Sequence, residues 1–129
     1  MKVLLDTHVL LWSATDPDRL TSTTKEVLED GENDVFVSAV VGWEVAIKQS
    51  IGKLDLPRPA ELWLPEVIRR SGFALADIGM DAALAVRSLP WHHKDPFDRL
   101  LIAHARVMGA TIVTHDAAFA AYEVPLLSA

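Results

Sequence analysis

The sequence contains no cysteine, and it also lacks long apolar runs. The first absence excludes disulfide bonds, thiolate nucleophiles, zinc ribbons and iron–sulfur clusters, and nothing indicates an oxidising compartment. No stretch approaches the roughly 20 apolar residues of a membrane span, because Asp77 and Asp81 interrupt even the apolar segment 73–86. Asp6 and His8 break the apolar start of the chain before it is long enough for a signal peptide. These absences predict a soluble, cytoplasmic protein without a membrane partner.

Positive charge is in short supply as well. Twelve lysines and arginines stand against 18 aspartates and glutamates, which gives a formal net charge of -6 and a pI near 5.2. This balance argues against a protein that holds nucleic acid through a broad basic face, so any contact with phosphate must be local. A compact cluster of carboxylates would itself produce an acidic balance, and bound cations would reverse its sign where they bind.

Several catalytic motifs are missing too. The chain has no glycine-rich phosphate loop, no G-x-S-x-G elbow and no Walker-type Gly-Lys-Ser. The motifs that nucleotide hydrolysis and acyl transfer require are therefore absent. Five histidines are present, but none has the H-x-x-x-H spacing that places two ligands on one helical face. The histidine pattern therefore disfavours a zinc site.

Apolar, strand-like runs alternate with helical segments along the chain. Its length of 129 residues, half of which are hydrophobic, predicts one domain spanning 1–129. The predicted strands are 3–5, 34–38, 73–78 and 110–114, with an edge strand at 122–127 as an option. The predicted helices are 7–14, 21–29, 39–50, 60–70, 81–89 and 96–109, with a short one after Asp116. Thr21, Ser22 and Thr23 are N-cap candidates for the second helix, with Thr23 and Glu26 at capping-box spacing, and we expect a kink or restart at Pro65. This alternation predicts an α/β fold, with a central, mainly parallel sheet of four to five strands between two layers of helices.

Four acidic residues occupy equivalent places in this predicted fold. Asp6 and Asp116 each stand where a strand ends and a helix begins, Glu44 lies in the early turns of the helix after the second strand, and Asp98 lies in a first helical turn. Ligands of such sheets bind at the carboxyl ends of the strands, where the following helices begin. We therefore expect all four side chains to meet at one rim of the sheet.

Each of these acids also has an ordinary structural explanation. Asp6 and Asp116 could be helix N-caps, Glu44 could pair with Lys48 four residues later, and Asp98 could stabilise the positive end of a helix dipole. Only the combination indicates a site. Carboxylates within about 4 Å of one another repel by roughly 4 kcal/mol per pair at an effective dielectric near 20, so four of them must protonate or bind cations.

An all-oxygen site suits a hard divalent cation, Mg²⁺ or Mn²⁺, that shares phosphate oxygens with a substrate. Hydrolysis of a phosphodiester follows, because such a cation activates water and neutralises the charge that develops on phosphate. The loop before the Asp98 helix offers further contacts to RNA. His92, His93, Lys94 and Arg99 could contact phosphates and Trp91 could stack on a base, or the segment could be a solvated loop around a packed tryptophan.

Four ordered segments resemble PIN-domain proteins, and more narrowly VapC-type toxins of type II toxin–antitoxin pairs. They are D-T-H-V-L-L-W at 6–12, W-E-V-A-I-K at 43–48, D-P-F-D-R-L-L-I-A at 95–103 and V-T-H-D at 113–116. The similarity also includes G-K-L-x-L at 52–56 and L-P-x-x-H at 89–93. The resemblance implies a PIN-like fold and a Mg²⁺- or Mn²⁺-dependent endoribonuclease that cuts cellular RNA, is silenced by a cognate antitoxin and forms homodimers.

The resemblance also assigns residues. It implies that the catalytic and metal-binding acids are Asp6, Glu44, Asp98 and Asp116. Thr114 matches a hydroxyl position that supports the site, whereas Asp95 and Arg99 are assigned capping and orientation.

Two positions depart from the family pattern. Val41 replaces a frequent serine, which puts one supporting hydrogen bond in doubt, and His104 replaces a frequent glutamine, from which we expect altered substrate contacts. Two other functions stay open from the sequence. They are a PIN-fold interaction module without catalysis and a nuclease acting on DNA.

Overall fold

The structure, a computed structural model that describes residues 1–129, contains the predicted parallel sheet with six helices around it. The strands are β1 (Lys2–Leu5), β2 (Asp34–Ser38), β3 (Ala74–Ala76), β4 (Thr111–Thr114) and β5 (Leu126–Ser128). The helices are α1 (Thr7–Thr15), α2 (Ser22–Glu29), α3 (Ala39–Ser50), α4 (Ala60–Ser71), α5 (Met80–Ala85) and α6 (Pro96–Met108). The five strands lie in the order β3-β2-β1-β4-β5, and every neighbouring pair is parallel.

The central strands are buried on both faces. Val3, Leu4 and Leu5 of β1 have no exposed surface, and Ile112 and Val113 of β4 have none either. Side chains of a strand alternate between the two faces of the sheet, so a fully buried strand requires a cover on each side. The helices supply both covers, which confirms the predicted three-layer α/β/α arrangement.

Local sequence determines where most helices begin and end. At the start of α6, the Asp95 carboxylate accepts hydrogen bonds from the backbone N–H groups of Phe97 and Asp98, and Pro96 occupies the first helical position. Gly109 ends this helix in the left-handed conformation, with φ of 67°. The predicted bounds of α3 and β2 match those in the structure.

Two other predictions about helices were only partly correct. The N-cap of α2 is Thr21, one of the three candidates, and its hydroxyl accepts a hydrogen bond from the N–H of Thr24. The cap is therefore confirmed, but the Thr23–Glu26 capping box does not form, because Thr23 already lies inside the helix. Pro65 lies inside α4 without breaking it. The proline is on the exposed side of this helix, where water can bind the carbonyl that its missing N–H leaves free.

The remaining differences concern short elements. The predicted helix 81–89 is α5 followed by a 3₁₀ turn, Val86–Ser88, and the short helix after Asp116 is a 3₁₀ helix, Ala117–Ala121. The edge strand is shorter than 122–127, but it is present as β5 and pairs with β4. No helix combines the length and the apolar character that a membrane span requires.

The strand order creates a crevice at the centre of the sheet. From β1 the chain proceeds outward through β2 and β3 on one side, and it later returns to the other side of β1 to form β4 and then β5. In open parallel sheets ligands bind where the direction of winding reverses, at the carboxyl ends of the two central strands. Here those strands are β1 and β4, which end at Leu5 and Thr114.

Candidate metal centre

Asp6 and Asp116 meet at this crevice through one hydroxyl group. Because β1 and β4 are paired in register, with Leu5 opposite Val113, the residues that follow them are neighbours. The Thr114 hydroxyl donates a hydrogen bond of 2.6 Å to Asp6 Oδ2 and accepts one of 3.0 Å from the backbone N–H of Asp116. Thr114 therefore occupies the supporting position that the sequence predicted for it.

Both aspartates are also helix caps. Asp6 Oδ1 accepts a hydrogen bond from the N–H of His8 at the start of α1, and Asp116 Oδ1 accepts one from the N–H of Ala118. The ordinary explanation for these two acids is thus confirmed. It does not exclude a site, because each carboxylate has a second oxygen: that of Asp6 contacts Thr114, and that of Asp116 faces His93.

The closest cluster at the rim consists of His93, Asp98 and Asp116. His93 Nε2 lies 2.8 Å from Asp98 Oδ2 and 3.5 Å from Asp116 Oδ2. One nitrogen and two carboxylate oxygens of these residues all lie within 4.8 Å of one another. The side chains of His93 and Asp98 are about one fifth exposed, whereas that of Asp116 is 44% exposed, so the cluster opens to solvent on the Asp116 side.

His93 is a member of this cluster that the sequence did not predict. Its Nδ1 accepts a hydrogen bond of 3.3 Å from the backbone N–H of Asp95, so the neutral ring carries its proton on Nε2. That nitrogen is buried and makes no well-directed hydrogen bond, although both carboxylates are close. The sequence placed His93 only in a loop with a possible phosphate contact, and its single useful signal was the L-P-x-x-H segment before D-P-F-D.

Glu44 lies at the same rim but is held by different partners. Its Oε1 accepts a hydrogen bond of 2.7 Å from the Thr7 hydroxyl, and its Oε2 forms an ion pair with Lys48. The predicted i,i+4 pair on α3 is therefore confirmed. The hydrogen bond to Glu44 is the main reason why the pKa of Lys48 is raised, and the charges of Asp95 and Asp98 raise it further.

The electrostatics of the rim disfavour anionic carboxylates. Burial raises the pKa of Asp98 to about 7, and the negative charges of Asp95, Asp6 and Glu44 add to this effect, while His93 opposes it. Burial also raises the pKa of Asp6, although the hydrogen bond from Thr114 works against the shift. The charge of Glu44 thus raises the pKa values of both Asp6 and Asp98, and the charge of Asp6 raises that of Asp98, as carboxylates that share a rim should do.

The four predicted acids are therefore at one rim but not equally close. Asp98 and Asp116 belong to the tight cluster with His93, Asp6 is joined to Asp116 through Thr114, and Glu44 is held to one side. Carboxylate oxygens are the donors that hard divalent cations prefer. A cation would offset the burial and the like charges that raise the pKa values of Asp6 and Asp98, so the carboxylate donor set of this rim fits one.

Arg99 is buried and does not reach the site, so the structure excludes the alternative in which it contacts phosphate. Its side chain is 2% exposed, and its guanidinium donates hydrogen bonds to several backbone carbonyls of the preceding loop and to a tyrosine hydroxyl. The acceptors are Val86, Leu89, Pro90, His93 and the Tyr122 hydroxyl. The guanidinium also lies 3.8 Å from the ring centre of Trp91, which is 75% exposed. Arg99 orients the loop, as the resemblance implied.

His104 is likewise buried, so the expected change in substrate contacts was wrong. Its Nδ1 lies 2.8 Å from the Ser38 hydroxyl, and burial lowers the pKa of the ring. Ser38 also caps α3 by accepting from the N–H of Val40, and Val41 beside it packs into the core. These residues support the end of β2 from below the rim.

A family model and a curated protein match most of the chain. The model of the PIN domain family matches residues 3–125 of the chain. Among curated proteins, ribonuclease VapC22 of Mycobacterium tuberculosis is 30% identical over 117 residues, which cover 88% of this chain and 86% of that protein.

Solved structures show the same fold at lower identity. The VapBC2 complex of Rickettsia felis, bound to a promoter DNA fragment, contains a chain with a TM-score of 0.74 and 18% identity, and the match covers 98% of both chains. The DNA-bound VapBC complex of Salmonella typhimurium contains one with a TM-score of 0.70 and 16% identity, over 98% of this chain and 97% of that one.

Proposed function

Because the chain belongs to the PIN domain family and is a homologue of the VapC ribonucleases, we propose that it is a metal-dependent endoribonuclease, the toxin of a toxin–antitoxin pair. The proposal treats residues 1–129 as a single PIN domain that acts in the cytoplasm. Relatives that are named ribonucleases support the activity, and solved VapBC complexes support a cognate antitoxin as the protein partner. A homodimer is part of the same proposal.

The observation that carries the proposal is the convergence of carboxylates at the β1–β4 crevice, where Asp6, Glu44 and Asp98 are largely shielded from solvent and repel one another. We assign Asp6, Asp98 and Asp116 as the groups that hold Mg²⁺ or Mn²⁺, with Glu44 completing the site or orienting the attacking water. When bound, a divalent cation supplies Lewis-acid activation of the phosphodiester and of the water that attacks it. The number of cations is left open by this assignment.

The chain's own side chains have distinct tasks in this mechanism. Thr114 fixes the rotamer of Asp6, since its hydroxyl contacts Oδ2 at 2.6 Å. Both oxygens of Glu44 already have partners in Thr7 and Lys48, which favours a role in orienting water over one as a principal ligand. His93 places Nε2 2.8 Å from Asp98 Oδ2, where it opposes the rise in the pKa of Asp98.

Cleavage of RNA by the purified chain tests the proposal directly. Labelled RNA and single-stranded DNA of the same sequence are incubated with Mg²⁺, with Mn²⁺ and with chelator, and the products are mapped. We expect RNA to be cut only when a divalent cation is present. Asp98→Asn should lower the rate more than about 100-fold, because even outer partners of a metal site are worth 10- to 100-fold.

The matched control is Asp18→Asn, which makes the same chemical change at a side chain that is 96% exposed and contacts only Lys25. It should cleave like the unmodified chain. Full activity of Asp98→Asn would reject the assignment of the site, and equal cleavage of DNA would change the substrate class. A folded chain that binds antitoxin but cuts neither nucleic acid would identify a binding module.

A further inference from the structure

A cavity that is lined in part by two lysines lies beside the acidic rim. It has a volume of about 350 Å³ and is lined by Thr7, His8, Leu11, Glu44, Lys48, Lys53 and Leu54. Two of these residues, Thr7 and Glu44, form the hydrogen bond described above, so the cavity and the acidic rim share a wall. A strand of RNA with one phosphate at the rim would pass this opening.

The two lysines of the cavity differ in what they contact. Lys48 donates one ammonium proton to Glu44, and its side chain is one third exposed, so its other protons remain available. The ammonium of Lys53 makes no hydrogen bond or ion pair, and the residue is exposed. The exposed ring of His8 makes only an aromatic contact, with Trp12 at 5.9 Å between ring centres. The cavity thus contains the unpartnered ammonium group of Lys53 and that of Lys48, which still has free donors.

The backbone fixes Lys53 beside Lys48. At the end of α3, the N–H of Lys53 donates to the carbonyl of Lys48 at 2.8 Å, and the N–H of Gly52 donates to the carbonyl of Gln49 at 3.1 Å. This pair of bonds is the Schellman motif, and it requires the left-handed conformation that Gly52 adopts with φ of 74°. The motif returns the chain toward the helix end, so the lysine after the glycine reaches the same cavity as Lys48.

An unpartnered cation distinguishes this cavity from the basic surface around Glu66. In a chain with a net charge of -6, a polyanion can bind only where cations outnumber acids locally. The lysines outnumber Glu44 in the cavity by two to one. Three arginines near Glu66 of α4 also outnumber their acid, but each of them, Arg58, Arg69 and Arg70, lies within 3.9 Å of Glu66 and so already has an anionic partner.

We propose that this cavity binds a phosphate of the RNA backbone that neighbours the phosphate being cut, with Lys53 as the principal contact and Lys48 as its support. The inference rests on the proposed ribonuclease function and adds a substrate-binding site to it. Lys48 would then link the two regions, because one of its protons contacts Glu44 at the rim while the others face the cavity.

Lys53→Gln tests the proposal, with Lys2→Gln as the matched control. Lys2 begins β1, at the opposite end of the sheet from the rim, and its ammonium contacts only the carbonyl of Met108. Cleavage of a labelled RNA oligonucleotide with Mg²⁺ gives KM and kcat. Binding of the same oligonucleotide, measured by fluorescence anisotropy at several NaCl concentrations, is followed in chains that also carry Asp98→Asn.

We expect Lys53→Gln to raise KM roughly 3- to 10-fold and to affect kcat less, because it removes binding energy that ground state and transition state share. The slope of log K against log salt should become shallower by about 0.7, the value for one phosphate contact on a single strand. Lys53→Arg should retain most of the affinity, and Lys2→Gln should change neither KM nor the slope.

The two proposals fail in different ways. If RNA is cut but Lys53→Gln behaves like Lys2→Gln in both KM and salt slope, the phosphate cavity is rejected and the nuclease stands. If RNA binds in a manner that depends on Lys53 but is never cut, the cavity is supported and the ribonuclease function is rejected. If RNA is neither bound nor cut, both proposals are rejected.

Discussion

Burial of the Asp98 carboxyl group disfavours its charged form, and this affects the stability of the protein as well as its chemistry. Its pKa is raised to about 7 in the folded chain from an ordinary value of 3.8. Between these two values the folded chain keeps a proton that the unfolded chain has released. The free energy of unfolding therefore decreases as the pH rises from about 4 to about 7, and it stays lower above that range unless a cation is bound.

Replacement of Asp98 by asparagine should thus stabilise the metal-free protein at pH 8. The rise in the pKa of Asp98 from 3.8 to about 7 corresponds to about 4 kcal/mol of free energy. We expect the free energy of unfolding to increase by about half of that amount, because the substitution also weakens the contact with His93. The gain should shrink at pH 5, where the carboxyl group of the unmodified chain is protonated. Urea denaturation in chelator at both pH values measures the difference. An Asp98→Asn variant that is less stable than the unmodified chain at pH 8 would contradict this explanation.

His104 should produce a pH effect of the opposite sign. Burial lowers the pKa of this histidine, with the backbone of Asp77 and the charge of Asp81 opposing the shift. As the pH falls below 6.5, the unfolded chain takes up a proton that the folded chain resists, so the free energy of unfolding decreases. His104→Gln removes the titrating group, and its amide can still bond to Ser38.

As the pH falls from 7 to 5, the free energy of unfolding of His104→Gln should decrease less than that of the unmodified chain. The difference between the two denaturation series isolates His104, since Asp98 titrates in both proteins. Identical pH profiles would mean that the ring is protonated in the folded state as easily as in the unfolded one.

The residues of the site differ in how far sequence could predict them. Asp6 and Asp116 follow strands and Asp98 follows a capped helix start, so their positions in a parallel sheet bring them to one rim. His93 belongs to no regular element, and its position depends on side-chain hydrogen bonds from elsewhere in the chain. Neither periodicity nor spacing encodes such bonds, which explains why His93 could not be predicted as a member of the cluster.

At the level of secondary structure elements, the loop before α6 is shaped by a helical residue. Arg99 lies one turn into α6, and its guanidinium binds carbonyls of Val86, Leu89 and Pro90 on the far side of the loop. No carboxylate pairs with this buried cation, so the carbonyl dipoles compensate its charge. The loop that carries His93 is consequently fastened to the helix that carries Asp98.

Arg99→Lys should loosen this attachment. A lysine has a single ammonium group, so it cannot reach acceptors on several sides at once, and we expect a loss of about 3 kcal/mol in the free energy of unfolding. Affinity for Mn²⁺, measured by calorimetry at pH 8, should fall as His93 and Asp98 lose their fixed separation. Arg87→Lys, in the same loop but without these bonds, is the control. Unchanged metal affinity in Arg99→Lys would show that the loop conformation does not depend on this residue.

Elements with strong end signals were predicted well, and those without them were not. The bounds of α6 follow from Asp95, Pro96 and Gly109, each of which has a direct conformational effect. The segment 81–89 has no comparable signal before Pro90, and there the helix changes to a 3₁₀ turn at Val86, whose carbonyl Arg99 binds. The end of α5 therefore coincides with a hydrogen bond from Arg99 of α6, a contact that the sequence around Val86 does not encode.

At the scale of the whole molecule, the site exists only when the sheet is assembled. Thr114 and Asp6 are 108 positions apart in the chain and are joined by one hydrogen bond. Sequence could predict that they share a rim, because parallel strands align their carboxyl ends, but not which acids would approach most closely. An unfolded chain has no such cluster, so a cation that binds the site binds the folded state alone.

Divalent cations should therefore raise the melting temperature, and the effect should depend on pH. A ligand that binds only the folded state at 100 times its Kd adds about 2.7 kcal/mol to the free energy of unfolding. At pH 8 the carboxyl group of Asp98, with a pKa of about 7, is ionised and available, whereas at pH 5.5 a cation must displace its proton.

We expect saturating Mn²⁺ or Mg²⁺ to raise Tm by several degrees at pH 8 and far less at pH 5.5, as measured by differential scanning calorimetry. Asp98→Asn should begin from a higher metal-free Tm at pH 8 and gain little from either cation, because the charge conflict that the metal relieves has already been removed. Asp18→Asn should respond as the unmodified chain does. An equal rise in Tm at both pH values, or in Asp98→Asn, would place the cation somewhere other than the carboxylates of this rim.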